Sequence, residues 1–220
     1  HETDILVVGG GPAGVAAAVA ARRTTGAKVA LVERYGHLGG QWTGGLVLIV
    51  VGMIGKSGTQ MTRGMGEEMM ARLSKVHKGI VNYPGPKPTV DAEALKFVMV
   101  EMVAEAEIDV FLHCWGVDAI VDGSKVCGAV FESKSGRQAI LSKVVIDATG
   151  DGDVYAAAGA AYEHIPYHIG LVSRIGNLPK DAPNGGGTPH DRPRNTGSIT
   201  PIEGVNWVNM RGETTDALDV

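Results

Sequence analysis

The sequence predicts an α/β fold in which a parallel sheet is joined to an antiparallel β-meander. Two short apolar runs, residues 5–8 and 29–32, flank an alanine-rich segment, which is the pattern of a βαβ unit with buried strands. Residues 110–133 are rich in β-forming residues, with a hairpin signal at Asp122-Gly123 within them and a second one at Ser135-Gly136 directly after them. Parallel strands need a crossover and a meander needs only tight turns, so both kinds of pairing are expected in one domain.

The composition limits the classes of protein to which the chain can belong. Its 220 residues suffice for one large domain or for a domain and part of another. Only 5% of the residues are aromatic, so aliphatic side chains must build the core, and the 32 glycines indicate many tight turns. With a net charge of −4 and scattered Lys and Arg, the chain lacks the basic footprint of a nucleic-acid-binding protein.

The cysteines and apolar runs bear on the cellular compartment. Cys114 and Cys127 form no CxxC pair, which leaves a zinc knuckle, an iron–sulfur cluster and a CxxC redox disulfide unsupported. Each is expected to pack as a small hydrophobe inside a strand, and this usage suits a reducing compartment. No signal peptide is visible, and residues 45–54 are too few to cross a bilayer, so we expect a cytoplasmic protein without a membrane partner.

The N-terminal elements can be placed in order. A strand at residues 5–8 leads into a helix over residues 14–23 that ends near Gly26, and the second strand spans residues 29–32. A glycine-dense, turn-like region follows, with a strand-like stretch at residues 46–51.

The middle of the chain predicts two helices separated by a loop. The first helix covers residues 67–76, and the prolines of residues 82–88 mark the loop. Thr89 or Asp91 can cap the second helix, which runs to about residue 107. Its apolar residues are spaced for one buried face: Leu95, Val98, Met99 and Met102.

The remaining elements are mostly strands. Three meander strands are expected near residues 110–114, 117–121 and 126–133, and a fourth strand covers residues 138–148. An alanine-rich helix at residues 154–161 follows it. Further on, the Gly-Gly-Gly and proline residues of 184–195 predict an exposed loop.

The three glycines after the first strand form the strongest motif, Gly9-x-Gly11-x-x-Gly14. In a Rossmann-like fold, the first glycine permits the turn out of the strand and the second lets the backbone approach a pyrophosphate. The third lets helix and strand pack closely, and the helix N-terminus favours a diphosphate. The motif lies between a buried strand and a helix, as this mechanism requires, and therefore predicts a dinucleotide site.

Glu33 ends the second strand, nineteen residues after Gly14 (33 − 14). At this place a carboxylate can accept hydrogen bonds from ribose hydroxyls and repels a 2′-phosphate, which argues against an NADP-type adenosine. The alternative for Glu33 is a solvated charge at the end of a strand.

A second crevice is expected where the strand of residues 138–148 ends in Ala148-Thr149-Gly150. Small residues at the carboxyl end of a strand leave room for a ligand. The nearby Asp151 and Asp153 resemble a metal pair, but their position before a helix favours a capping role and no metal site.

Four segments in succession carry a family resemblance: DILVVGGGPAGVAAAVAA, VALVERYGHLGGQWTGGL, DAEALKFVMVEMVAEAEIDVFLHC and SGRQAILSKVVIDATGDGDVYAAAGAAYE. Over residues 4 to about 163 the chain resembles FAD-dependent oxidoreductases with the glutathione-reductase type of FAD-binding fold. The resemblance implies an FAD-binding domain at residues 1–163, with a helical excursion at 53–107 and the meander at 110–133. Residues 164–220 would then begin an incomplete substrate or interface region.

The same resemblance implies which residues contact FAD. Gly39 and Gly40 would let the backbone pass the diphosphate and ribityl chain, and residues 41–45 would lie near the isoalloxazine. Gln41 or Thr43 could hydrogen-bond the ring, and Trp42 could stack on it or serve packing alone. The expected FAD-binding residues are Gly9, Gly11, Pro12, Ala13, Gly14, Glu33, Arg34, Gly39, Gly40, Gln41, Trp42, Thr43, Ala148, Thr149, Gly150 and Asp151.

No catalytic base stands out among the seven histidines, which are His1, His37, His77, His113, His164, His168 and His190. His113 is expected to be structural within a meander strand, and His37 lies in the cofactor loop. His164 and His168 follow the second cofactor contact. No Ser/His/Asp order or metal-ligand spacing is present.

The leading hypothesis is a dehydrogenase or oxidase that transfers a hydride from a small organic substrate to FAD. The alternatives are a non-catalytic FAD-binding or electron-relay subunit and a flavin-dependent RNA-modification protein, against which the acidic charge counts. Relatives have a further cofactor-contacting segment after a substrate domain. We therefore expect this chain to be the N-terminal part or one subunit of the functional unit. Its FAD and substrate sites would be completed by a second polypeptide in a hetero-oligomer or by a further segment.

Overall fold

A computed structural model of the chain describes residues 1–55, 57–163, 170–178 and 197–211. It contains two compact units, one formed by His1–Gly44 and Lys96–Tyr162 and the other by Gly45–Leu95 and the described part of residues 163–220. The helices and strands, in chain order, are β1 (Glu2–Val8), α1 (Pro12–Thr25), β2 (Val29–Val32), α2 (Met65–Leu73), β3 (Ile80–Val81), β4 (Thr89–Val90), α3 (Ala92–Glu105), β5 (Asp109–Phe111), β6 (Trp115–Asp122), β7 (Lys125–Ser133), β8 (Gly136–Asp147), α4 (Asp153–Ala157), β9 (Gly170–Ile175), β10 (Ser198–Ile199) and β11 (Asn206–Arg211).

The first unit is built on a six-stranded sheet with the order β5-β2-β1-β8-β7-β6. Strands β5, β2, β1 and β8 are parallel, and β8 pairs antiparallel with β7, which pairs antiparallel with β6. The sheet is therefore of the mixed α/β type that the sequence predicts. Strand β8 takes part in both patterns, because its first half pairs with β7 and its second half with β1.

The predicted βαβ unit is confirmed by β1, α1 and β2. All four residues of β2 are buried, which agrees with its uninterrupted apolar sequence. Helix α1 begins at Pro12, earlier than predicted, because proline is favoured at the first helical position, where no amide hydrogen is needed. It ends at Gly26, which adopts the left-handed conformation (φ 66°) that terminates many helices.

The first predicted meander strand was assigned to the wrong part of the sheet. Residues 109–111 form β5 at the parallel edge beside β2, so the antiparallel meander consists of β6, β7 and β8. His113 lies between β5 and β6 in a left-handed conformation (φ 55°), which redirects the chain. His113 and Cys114 therefore lie outside the strands in which they were expected, whereas Cys127 lies in β7 as predicted.

The meander and the parallel strands share an apolar core. Phe131 is its largest member and is only 2% exposed. The cluster contains Leu6, Val8, Ala30, Val32, Ala129, Phe131, Ile140 and Val154. Leu6 and Val8 come from β1, and Ala129 and Phe131 come from β7, so the apolar side chains of β7 stabilise the strands that carry the site.

The second unit contains the short antiparallel pair β3–β4 and a three-stranded antiparallel sheet with the order β10-β11-β9. The strand-like stretch predicted at residues 46–51 is not a regular strand, but Ile49 forms a bridge with Thr89, and the amides of Val50 and Val90 donate 2.9 Å hydrogen bonds to Pro88 O and Leu48 O. The left-handed conformations of Leu46 (φ 54°) and Gly52 (φ 84°) bend the chain on either side of it. The predicted loop at residues 184–195 lies outside the described residues.

Two helices show how far local signals determine helix ends. Asp91 caps α3, since its Oδ1 accepts a hydrogen bond of 2.9 Å from the Ala94 amide, and the four predicted apolar residues of α3 are buried. Helix α4 is shorter than predicted and ends at Ala157, two residues before Gly159, whose φ is 80°.

Within the described ranges, no helix has the length and apolar character needed to cross a membrane.

Candidate functional site

The turn after β1 leaves no room for side chains at Gly9 and Gly14. A Cβ on Gly9 would overlap the Ala148 carbonyl oxygen, and Gly9 also has a φ of 103°. A Cβ on Gly14 would overlap the carbonyl oxygen of Gly9. Both glycines are thus required for close packing between the turn, helix α1 and the end of β8.

Gly11 differs from these two glycines, because a Cβ added to it would have no atom within 4 Å. Gly11 is the N-cap residue of α1, and no side chain caps the helix there. The first amides of a helix need acceptors, and its N-terminus attracts anions. Packing within the protein therefore does not explain why a glycine is needed at position 11. A diphosphate bound at the helix N-terminus would explain it, because it needs this space.

Gly10 was not among the predicted site residues, although it joins the two parts of the site. Its amide donates a 2.6 Å hydrogen bond to Glu33 Oε2. A Cβ on Gly10 would lie 2.7 Å from Leu38 Cδ2 and 2.9 Å from Glu33 Cβ. The sequence did contain a signal for Gly10, because the dinucleotide motif requires glycine at positions 9 and 11 of this turn but not at position 10.

Glu33 is buried, with 5% of its surface exposed, so the alternative of a solvated charge at a strand end is wrong. Its second carboxylate oxygen, Oε1, accepts a 2.8 Å hydrogen bond from the Tyr35 amide. The carboxylate therefore holds the β1 turn and the chain after β2 together. An ionised carboxylate has about four acceptor positions, so two remain for hydroxyl donors such as those of a ribose.

The segment after β2 folds back against the glycine turn. The Gly39 amide donates a 2.8 Å hydrogen bond to Gly10 O, and a Cβ on Gly40 would lie 3.1 Å from Gly11 Cα. Thr43 is buried, and its hydroxyl donates a 2.7 Å bond to Leu38 O, so this donor is used within the segment. Gln41 is exposed and Trp42 is half-buried.

The third part of the site is the turn at the carboxyl end of β8. Asp147 Oδ1 accepts hydrogen bonds from the Thr149 amide (3.0 Å) and hydroxyl (2.7 Å), and Oδ2 accepts one from the Tyr155 amide (2.8 Å). Thr149 Oγ1 in turn accepts 3.0 Å bonds from the amides of Gly152 and Asp153. The turn is therefore fixed by side chains from the end of the strand.

The expectation that Asp151 and Asp153 cap the following helix is wrong. Gly152 is the N-cap residue of α4 and makes no side-chain cap. Asp147 and Thr149 accept the hydrogen bonds from the start of the helix instead, because the turn points their oxygen atoms at its amides. Among the described residues, no group of three or more His, Cys, Asp or Glu side chains could hold a metal ion.

The pKa values of two carboxylates at this turn are shifted in opposite directions. Burial raises the pKa of Asp147, but hydrogen bonds from Thr149, Tyr155 and Val154 outweigh burial and hold it below its ordinary value. The pKa of Asp153 is raised, first by burial and then by the negative charges of Asp151 and Asp147. Asp147 is thus suited to remain an ionised acceptor at the end of β8.

A small cleft of about 30 Å³ lies at the carboxyl ends of the strands, where α/β sheets bind ligands. It is lined by Val8, Gly9, Val32, Glu33, Arg34, Cys114, Trp115, Gly116, Thr149 and Asp153. The Arg34 guanidinium carbon lies 4.9 Å from the Tyr35 ring centroid and 6.0 Å from that of Trp115. Trp115 was not among the predicted site residues, because no local pattern in the sequence indicates that it lies beside Arg34.

Burial raises the pKa of the Cys114 thiol in this cleft, which keeps the thiol protonated. Among the described residues, His37, which stacks on Tyr35, and His113, which lies against Gly36, are the histidines near the site. The candidates His164 and His168, together with His190, lie outside the described residues.

Three features define a Rossmann-like dinucleotide-binding domain. They are the glycine turn after β1, the buried carboxylate of Glu33 and the open N-terminus of α1. A family model described as FAD dependent oxidoreductase matches residues 4–166. The chain belongs to this FAD-dependent oxidoreductase family, and its cofactor is FAD. The resemblance found in the sequence is therefore confirmed.

Solved structures show the same fold in other flavoproteins and related proteins. THI4 from Thermovibrio ammonificans is 24% identical, with a TM-score of 0.55 over 76% of this chain and 66% of its own. A geranylgeranyl bacteriochlorophyll reductase-like protein from Thermoplasma acidophilum is 18% identical, with a TM-score of 0.64 over 96% of this chain and 57% of its own. The flavin-dependent brominase Bmp2 is 20% identical, with a TM-score of 0.58 over 83% of this chain and 48% of its own.

The chain thus spans about half to two thirds of the length of these structures. No curated protein matches it.

Proposed function

We propose that this chain binds FAD in the described site and takes part in the transfer of a hydride from a small organic substrate to the flavin. The observation that carries the proposal is the open position at Gly11, in a turn whose other glycines are closely packed. Bound FAD supplies the hydride-accepting chemistry, and the protein supplies binding and orientation.

Each part of the site has a role in this proposal. The α1 N-terminus at Gly11, Pro12 and Ala13 would hold the diphosphate, and the remaining acceptor positions of Glu33 would bind ribose hydroxyls. Gly39, Gly40, Gln41 and Trp42 would contact the cofactor from the segment after β2. Ala148, Thr149, Gly150 and Asp151 would contact it from the turn that Asp147 fixes.

We further propose that residues beyond those of the site described here complete the substrate pocket, on a second polypeptide in a hetero-oligomer. The chain covers 57% of the Thermoplasma protein, so a structure with this fold contains residues beyond those of the site described here. The free thiols of Cys114 and Cys127 support a reducing, cytoplasmic location.

The test of the cofactor site is the substitution Gly11→Val. A Cβ at this position would have no atom within 4 Å, so a branched side chain would extend into the open space at the α1 N-terminus, and FAD binding should be lost while the FAD-free protein still folds. Binding is measured by fluorescence titration with FAD and the melting temperature by circular dichroism.

Gly176→Val is the matched control, because Gly176 is exposed and a Cβ there would have its nearest neighbour at 3.9 Å. This control should bind FAD like the unsubstituted protein. Full FAD occupancy in Gly11→Val would overturn the assignment of the site.

The hydride-transfer step is tested separately, by following the flavin absorbance anaerobically with a panel of alcohols and amines as hydride donors. Bleaching by a donor supports the proposed reaction. Absorbance that persists with every donor would instead favour a structural or electron-relay role of the bound FAD.

A further inference from the structure

The segment that follows β2 is held by two imidazole rings. A Cβ on Gly36 would lie 2.5 Å from His113 Nε2, so the His113 ring rests on the Gly36 backbone. A Cβ on Gly44 would lie 2.5 Å from His37 Cε1 and 2.8 Å from Nε2, so the His37 ring rests on Gly44. Neither Gly36 nor Gly44 has a φ in the left-handed region, so the backbone conformation does not require glycine there. The lack of a side chain instead leaves room for the imidazole rings.

The His37 ring is fixed on its other side as well. It lies nearly parallel to the Tyr35 ring, at 9° with centroids 5.6 Å apart. His37 Nδ1 also lies 3.4 Å from Leu38 O. The ring therefore fills the space between the start of the segment at Tyr35 and its end at Gly44.

The segment closed by this contact carries the residues that meet the glycine turn. Gly39 is hydrogen-bonded to Gly10 O, Gly40 packs on Gly11, and Thr43 lies against Gly39. The open space at Gly11 is therefore bounded on one side by a segment whose two ends are joined by His37.

We propose that His37 is a positioning residue for FAD, which acts through Gly44 to hold Gly39 and Gly40 against the glycine turn. The inference rests on the proposed binding of FAD at Gly11. His113 supports the same segment from Gly36. This role explains the contact between the His37 ring and Gly44, which the dinucleotide motif does not require.

The test compares FAD dissociation constants of the full chain and of single and double variants. His37→Ala removes the ring, and Gly44→Ala displaces it by overpacking, so each should weaken FAD binding by about tenfold. The FAD-free variants should remain folded, with a cooperative thermal transition like that of the unsubstituted protein. The fine structure of the visible absorption band of bound FAD should broaden in both variants, because a displaced segment admits water to the flavin.

The double variant His37→Ala/Gly44→Ala separates this mechanism from a general loss of packing. If Gly44→Ala acts only by displacing the His37 ring, it should have no further effect when the ring is absent. The double variant should therefore bind FAD as His37→Ala does. Additive losses in the double variant would overturn the proposal.

His77→Ala is the matched control, since His77 is exposed in the turn after α2. Failure of the unsubstituted chain to bind FAD would refute the proposed function itself. If that chain binds FAD and His37→Ala binds it as tightly as His77→Ala does, only the positioning role fails. A lower melting temperature of FAD-free His37→Ala with an unchanged dissociation constant would likewise assign His37 to folding alone.

Discussion

At the residue scale, Glu33 links the two turns that build the site. Its oxygen atoms accept hydrogen bonds from the amides of Gly10 and Tyr35, and a buried carboxylate is stabilised only by such donors. The residue thus serves the fold of the FAD-free protein, and in the proposed site it also binds the ribose. Loss of its charge is expected to affect both.

We predict that Glu33→Gln lowers the free energy of unfolding by about 1–3 kcal/mol, because one amide would then face an NH2 donor in place of an acceptor. FAD binding should weaken in parallel, since fewer acceptor positions remain for ribose hydroxyls. Urea unfolding without FAD and fluorescence titration with FAD measure the two effects.

Glu132→Gln is the control for this substitution, because the Glu132 carboxylate pairs with Arg137 at the surface. Surface ion pairs contribute little, so a change of less than about 1 kcal/mol is expected there. An equally small effect at position 33 would show that the buried hydrogen bonds of Glu33 do not stabilise the turn.

At the scale of elements, the end of β8 and the start of α4 form one hydrogen-bonded unit. Asp147 is the last residue of β8, and the amide of Tyr155 in α4 donates to it. The lowered pKa of Asp147 follows from these donors, which stabilise the ionised form in the folded state.

This arrangement makes the stability depend on pH. Because its folded-state pKa is below the ordinary value of 3.8, Asp147 stabilises the fold at higher pH, and this contribution is lost as the pH falls through the lowered pKa. We predict that Asp147→Asn lowers the free energy of unfolding at neutral pH by about 1–2 kcal/mol, after allowance for solvent access.

Urea unfolding of both proteins over a pH series checks this prediction. The difference between them should shrink as the pH falls below 3.8, because protonated Asp and Asn are then similar acceptors. A difference that is independent of pH would mean that the charge of Asp147 is not what holds the turn.

At the scale of the first unit, the meander stabilises the parallel strands that carry the site. Phe131 on β7 lies in the cluster that includes Leu6 and Val8 of β1 and Val32 of β2. Gly116 on β6 admits this packing, since a Cβ there would lie 3.0 Å from Val8 and 3.7 Å from the Phe131 ring.

We predict that Phe131→Ala lowers the free energy of unfolding by about 3–5 kcal/mol, the usual cost of removing a buried phenylalanine. Urea unfolding followed by circular dichroism measures it. Val121→Ala on the neighbouring strand is the control, because Val121 is 43% exposed, and its effect should stay within about 0.5 kcal/mol. Similar small effects for both would show that the meander is not part of the core.

The elements best predicted from sequence were those whose signals are local. The run of residues 29–32 gave β2 its bounds, and the glycines at 26, 123 and 136 marked the ends of elements. Residues 46–51 pair with their neighbour through a single bridge and do not form a longer strand, because left-handed bends at Leu46 and Gly52 limit the pairing and β-propensity does not register such bends.

By itself, the sequence determined the βαβ unit, the hairpin turns, the dinucleotide motif and the family, because each depends on residues close along the chain. Only the tertiary structure decided that β5 joins the parallel edge, that Gly10 rests on Glu33, and that Asp147 and Thr149 hold the start of α4. It also decided that His37 lies on Gly44. These features depend on which distant backbone groups approach each other, and a local pattern of residue types does not contain that information.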